Sequence, residues 1–264
     1  MLTFSTILLE KTFSIAKIVI NRPEKRNAMN RALFADIREV FYQLQADTDI
    51  RVILVTGTNG TFSAGIDLQE IAQLGQEFSV SQLRHFAEEL QASFNATEAC
   101  EKPVVALIDG HCYGAGLELA LACDFRIASE TAKIGFLETQ LGMIPDLGGT
   151  SRVVRALGVS RAKRIIMLAE VFGGFEAKEI GLVDWVVPSA QLEDKGIEIA
   201  EKLSKNAPLA LGVAKKTIDR VYGMSIESAL TVERLSQLEL LRSEDIVEAI
   251  TSKIEKRPPV FQGK

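Results

Sequence analysis

Residues 103–124, PVVALIDGHCYGAGLELALACD, constrain the fold more than any other stretch of the chain. Val104–Ile108 is a short, apolar, β-branched run with the composition of a buried strand. Gly110, Gly114 and Gly116 then let the backbone turn sharply. Residues 117–123 are apolar and rich in Leu and Ala, which suits a buried helix. Strand, glycine turn and helix are thus expected in direct succession. One charge, Glu118, interrupts the apolar helix start. A helix beginning near Ala115 has unpaired backbone N–H groups and the positive end of its dipole there. Such an end holds an anion or a developing oxyanion, and the carboxylate of Glu118 stands within reach of it. Taken alone, Glu118 is equally well a first-turn acid that does no more than favour the helix.

A chain of 264 residues with 47% hydrophobic content has material for one sizeable α/β domain, or one domain with a smaller appendage. No apolar run approaches the roughly 20 residues that cross a bilayer. The stretch MLTFSTILLEKTF has no basic segment followed by a cleavable apolar core, so no signal peptide is expected. Cys100, Cys112 and Cys123 have no metal-ligand spacing and read as reduced, packed thiols of a cytoplasmic protein. A net charge of -5 opposes broad nucleic-acid binding. With only His85 and His111 present, Ser-His-Asp or His-metal chemistry has little material, and no metal site is expected.

In chain order, residues 6–10 and Ile15–Ile20 read as two strands, the second ended by Pro23. Leu33, Phe34, Ile37, Val40, Phe41 and Leu44 recur at helical spacing. Residues 51–56 are a buried strand. In the FSAGIDL run that follows, Gly65 frees the backbone so that the N–H of Ile66 points at a ligand. Residues 75–81 lack periodicity and read as a loop over a pocket, before a helix over 83–99 with His85 on its surface. Residues 125–128 and Lys133–Gly135 are short strands, and 136–149 resist regular assignment. Helices are expected over 150–157 and 160–168, the second capped by Ser160. A helical turn over 175–180 and a strand over 182–187 follow. From residue 190 onward the chain reads as four helices, 190–204, 208–221, 225–242 and 244–256. Such a tail packs on a neighbouring subunit or caps its own core, and the pattern alone fits both.

Four segments carry a family resemblance: RPEKRNA from Arg22, FSAGIDL from Phe62, residues 110–124, and residues 137–152 with LGMIPDLGGTSR. In order and spacing they make the chain similar to the enoyl-CoA hydratase/isomerase (crotonase) family over nearly its whole length. The resemblance implies an α/β fold: a crotonase-like spiral of repeated β-β-α units over 1–190, with a helical region over 191–264 that builds a homotrimer or homohexamer. It implies an acyl-CoA thioester as substrate, with coenzyme A entering as part of it and no separate cofactor; the charge and the absence of a spanning run leave neither nucleic acid nor membrane as an expected partner. By position, the N–H groups of Ile66 and Ala115 resemble the family's oxyanion hole, although the family usually has Gly where this chain has Ala115. Glu118 and Glu138 occupy the positions of the two hydratase glutamates. Lys25, Arg26, Ala64 and, from a neighbouring subunit, Lys256 resemble substrate-binding residues. The basic pair and the basic C-terminal tail also suit plain solvation. Phe136, Leu141 and the 73–82 loop are expected to shape the acyl pocket.

One departure qualifies the match. Hydratases commonly have Gly where this chain has Asp146. An acid there resembles the dienoyl-CoA isomerases, which use acids at the positions of Glu138 and Asp146. Asp is also frequent in turns, which accounts for Asp146 with no function at all. The leading expectation is hydration of a 2-enoyl-CoA, the alternative dienoyl isomerisation. A third reading, a catalytically silent binding relative such as one for RNA, would need a basic, aromatic-interleaved stripe, and this sequence has none.

Overall fold

The computed structural model describes residues 4–264, and for 74–77 the backbone alone. The first three residues, part of the stretch examined for a signal peptide, lie outside the described residues. Ile7–Thr12 (β1) and Ile15–Ile20 (β2) form an antiparallel hairpin. Val52–Gly57 (β3) then pairs parallel to β2, a connection that needs a long crossover. Arg31–Ala46 (α1) supplies it, capped by the Asn30 side chain, which accepts from the Leu33 N–H at 3.0 Å. Leu68–Glu77 (α2) and Val80–Ala99 (α3) lead to Val104–Ile108 (β4), parallel to β3. Ala115–Ala122 (α4) follows a short strand, His111–Tyr113 (β5). Phe125–Ser129 (β6) joins β4 in parallel. Lys133–Gly135 (β7), Gly149–Met167 (α5), Val171–Gly173 (β8), Gly174–Glu179 (α6) and Trp185–Val187 (β9) complete the α/β part.

The large sheet has the order β1-β2-β3-β4-β6-β9, and a second sheet the order β5-β7-β8. Strands in the middle of the large sheet are buried on both faces, hence their continuous apolar runs. Their alternation still sorts them. Ile53, Val55, Val104, Ala106 and Ile108 face the main core with α1, α3 and α4. Val52, Leu54, Val105, Leu107 and Ile127 face Leu192, Ile199 and Ala200 of Leu192–Ser204 (α7). The C-terminal helices are Pro208–Val221 (α8), Ile226–Leu240 (α9) and Glu244–Glu255 (α10).

Several expectations change. The glycine turn before α4 contains β5, because His111, Cys112 and Tyr113 pair in register with Lys133, Ile134 and Gly135. Residues 75–81 are not a loop. Helix α2 runs through Glu77 and α3 starts at Val80, where Ser79 and Gln82 form a reciprocal capping box. The helices expected over 150–157 and 160–168 are one element kinked at Gly158, whose φ of 78° and ψ of 165° are not helical. The strand expected over 182–187 shortens to β9, since the Ala177 carbonyl accepts the Leu182 N–H at 2.7 Å. All three cysteines are free and buried, as the sequence implied.

Candidate active site

Asn27 organises the first wall of the site. It is fully buried, with a left-handed φ of 57°. Its side chain accepts the Arg22 N–H at 2.9 Å and donates to the carbonyls of Thr58 and Thr61 at 3.1 and 2.7 Å. The Ser63 hydroxyl donates to the Asn27 carbonyl at 2.8 Å, and the Ala64 N–H donates to the Arg26 carbonyl at 3.0 Å. The Met29 N–H donates to the Gly65 carbonyl at 2.7 Å, and the Asp67 N–H to the Met29 carbonyl at 2.9 Å. The backbone on both sides of Ile66 is therefore committed, and the Ile66 N–H makes no hydrogen bond among the described residues. Gly65, at φ 98°, turns it outward.

The second wall is the start of α4. Ala115 is its first residue, so its N–H has no partner within the helix. Gly116 presses this helix end against the first wall: a Cβ there would lie 2.8 Å from the Ser63 Cβ and 3.0 Å from the Ser63 carbonyl oxygen. Only glycine allows that approach. Both free N–H groups consequently belong to residues lining the same two cavities. One, of about 420 Å³, is walled by Ile71, Leu83, Phe86, Leu90 and Ile144 and carries Glu118, Glu138 and Asp146. The other, of about 400 Å³, is lined by Ala64, Leu68, Tyr113, Gln140 and Leu141. Ile66, Ala115, Glu138 and Met143 line both, so the two spaces meet at the free N–H groups. A separate cavity of about 510 Å³, beside the Lys215–Asp124 ion pair, includes none of these residues.

The acids differ in their surroundings. Glu118 is 2% exposed, and its Oε1 accepts the N–H groups of Leu147 and Gly149, each at 2.9 Å. A Cβ on Gly149 would stand 2.6 Å from the Glu118 Cγ, so glycine is required there too. Burial pushes Glu118 up to about 8, against the opposing pull of the Gly149 and Leu147 N–H groups. Glu138 opens a 3₁₀ turn, Glu138–Leu141, and burial pushes it up to about 7. Its Oε2 is buried without a partner. Asp146 lines the same cavity with part of its surface open to solvent, and desolvation raises its carboxyl.

The sequence-based site residues divide accordingly. Ile66, Ala115, Glu118, Glu138, Asp146 and Ala64 come together around the two cavities. Lys25, Arg26 and Lys256 line neither. Lys25 is exposed beside them, donating to the Gln69 side chain at 3.0 Å, and Lys256 caps the end of α10. Leu141 lines a cavity, but Phe136 is fully buried in the main core. In place of a 73–82 loop, Ile71 and Leu83 come from helices; the side chains of 74–77 lie outside the described residues. The roles of Asn27, Ser63, Gly149 and Arg152 were not read from the sequence. Asn is enriched in the left-handed region, which is the one local signal for Asn27. Among the described residues no group of three His, Cys, Asp or Glu forms a metal-binding cluster, and no helix is long and apolar enough to cross a membrane.

The family model described as enoyl-CoA hydratase/isomerase matches residues 10–264. A protein of Mycosarcoma maydis named enoyl-CoA isomerase/hydratase fer4 is 38% identical over 94% of this chain and 92% of its own. The short-chain-enoyl-CoA hydratase of Clostridium acetobutylicum is 35% identical, covering 96% of both chains. The crystal structure of enoyl-CoA hydratase from Bacillus anthracis superimposes with a TM-score of 0.92 at 36% identity, over 98% of this chain and all of the other.

Proposed function

The chain belongs to the enoyl-CoA hydratase/isomerase family, and we propose that within it this protein adds water across the 2,3 double bond of an enoyl-CoA thioester. One observation supports this most directly: the two free N–H donors, Ile66 and Ala115, line one cavity together with two buried glutamates. The two N–H groups donate to the thioester oxygen and stabilise the enolate-like state that forms as oxygen adds at C3. Losing one such donor costs about 3–4 kcal/mol. Burial raises both Glu118 and Glu138 into the neutral range, so near pH 7 one carries a proton while the other is ionised. One carboxylate takes a proton from water as its oxygen bonds to C3, and the other acid gives its proton to C2. Coenzyme A enters as part of the substrate, with Ala64 along its path and Lys25 and Arg26 meeting its phosphates. The working unit is a homotrimer or homohexamer in which Lys256 reaches a neighbour's nucleotide.

The test follows water addition through loss of the conjugated enoyl-thioester absorbance. Glu118→Gln and Glu138→Gln should each lower kcat by about 10²–10⁴-fold, because each removes a proton-transfer partner. Asp146→Asn should change the rate only modestly. Asp146, which lines the cavity together with Glu138, favours a second reading, dienoyl-CoA isomerisation through Glu138 and Asp146. In that case Glu138→Gln and Asp146→Asn are the damaging pair and Glu118→Gln is spared. Wild-type protein that leaves a 2-enoyl-CoA unhydrated but converts a 3,5-dienoyl-CoA decides for the second reading.

A further inference from the structure

We propose that Arg152 is a positioning residue for Glu118, holding in place the two backbone N–H groups that grip its carboxylate. The inference rests on the reading of Glu118 as a proton-transfer group. Arg152 lies in the first turn of α5 and is 7% exposed. Its Nη1 donates to the Leu147 carbonyl at 3.1 Å, and its Nη2 to the Asn95 Oδ1 and the Glu98 Oε2, both at 2.8 Å. Leu147 and Gly149 are the residues whose N–H groups meet the Glu118 Oε1. One planar guanidinium therefore ties the backbone that holds Glu118 to α3.

The space for this contact is built by the chain. Gly148 adopts φ 101°, and a Cβ there would stand 2.0 Å from the Arg152 Nη1. The Arg152 Nε is buried without a partner. A buried charge with an unmatched N–H costs stability, and well-packed apolar residues would join α3 to α5 at less cost. The arrangement holds something that apolar packing would not: the Leu147 carbonyl, fixed at one end of the residue whose N–H faces Glu118. An apolar contact restrains a peptide plane weakly, whereas a hydrogen-bonded fork fixes its direction.

Two variants test this without changing charge. Arg152→Lys keeps the cation and loses the fork, and Asn95→Ala leaves Arg152 in place but frees one of its anchors. The charges that act on Glu118 are Glu138, from the 138–141 turn, and Asp146, from the adjoining loop, while Arg152 and Glu98, from α5 and α3, pair beside the backbone that holds it; neither variant alters any of these charges. Arg152→Lys should lower kcat for hydration of a short 2-enoyl-CoA about 10²-fold with KM unchanged, the scale of a small misplacement of a reacting group. The limb of its pH–rate bell that Glu118 sets should move upward while the other limb stays, because weaker N–H bonds to that carboxylate disfavour its charged form. Asn95→Ala should move both quantities the same way by less. A merely structural role lowers the amount of folded enzyme and leaves the bell where it was. Unchanged bells in both variants, or a rise in KM alone, overturn the proposal. Should Arg152→Lys fail to fold, Asn95→Ala decides. Glu118→Gln serves as the control: if it hydrates normally, the reading of Glu118 falls. If it is inactive while both variants match the parent in kcat and bell, only the positioning role falls.

Discussion

Helix α4 and helices α8 to α10 solve opposite problems. Every residue of α4 is buried, Glu118 included. Helix α8 buries only Gly212, α9 only Ala229, and α10 only Asp245 and Ser252. Yet the tail helices are far from polar: Leu230, Leu238, Val247, Ile250 and Ile254 are each more than half exposed on the single chain. Burial explains α4 completely, because an all-round apolar helix belongs inside a core. Nothing in the chain's own core explains the tail. Exposed apolar surface on that scale marks an interaction face, which is the physical ground for proposing an oligomer. The site is built by internal packing, whereas the tail leaves apolar side chains exposed on the single chain.

Breaking the packed side of this contrast should have the largest effect. Gly116→Ala places a methyl group against Ser63 and drives the two N–H walls apart. Turnover should fall by about 10²–10³-fold, the cost of one lost oxyanion donor, with secondary structure by circular dichroism unchanged. Activity within a few-fold of the parent would disconnect the two walls from catalysis. On the open side, Val247→Asp combined with Ile250→Asp should weaken assembly while leaving the chain folded. A central apolar contact is worth about 2 kcal/mol or more, a loss of roughly 30-fold in association for each such anchor. Light scattering over a dilution series measures this, and a doubly substituted protein that stays fully assembled places the interface elsewhere.

A smaller effect sharpens the contrast by pH. Glu118 is raised to about 8 in the fold, above the ordinary carboxylate range, so the native state binds more protons than the unfolded one between that range and about pH 8. Stability must therefore fall as pH rises through this window. Glu118→Gln removes the penalty, so its Tm should exceed the parent's at pH 8 and converge with it near pH 5. Each kcal/mol recovered is worth roughly 2–4 °C in a domain of this size. Calorimetry at the two pH values checks it, and a Tm difference that does not depend on pH would mean the charged carboxylate is well solvated. The smallest effect is expected at Lys256. Lys256→Ala should raise KM for the acyl-CoA by a few-fold with kcat unchanged, in keeping with an exposed ion pair worth about 0.2–1 kcal/mol. Titration kinetics identical to the parent's would make Lys256 a solvated end of α10.

Much of the fold was legible because it is written in local pattern. Val104–Ile108 and Lys133–Gly135 appear at the bounds expected from their apolar runs, and the four C-terminal helices differ only at their ends. The three-residue strands β5 and β8 were not legible, because their existence depends on partners distant in sequence: His111–Tyr113 reads as part of a turn until β7 lies beside it. Helix α2 was missed because Gly75 and a polar run blurred its period. In the site, the acids and the glycine-flanked N–H positions could be named from the sequence. Asn27 and Arg152 could not. Each acts on backbone brought to it by the tertiary fold, and no local spacing announces which carbonyl a buried side chain will meet.

The free N–H groups of Ile66 and Ala115 have a consequence for how such a chain can change over generations. They are main-chain atoms, and every residue except proline brings the same donor to the same place. Substitution at either position, proline apart, alters the lining of the cavity but does not delete the group. The acids are heritable in a different way. Glu118 lies on α4, Glu138 on a 3₁₀ turn and Asp146 on a loop, each open to replacement by a single codon. Descendants of one ancestor can therefore gain or lose carboxyls one at a time and move between proton-transfer chemistries. Throughout that drift, the two donors that would receive the thioester oxygen are passed on unchanged.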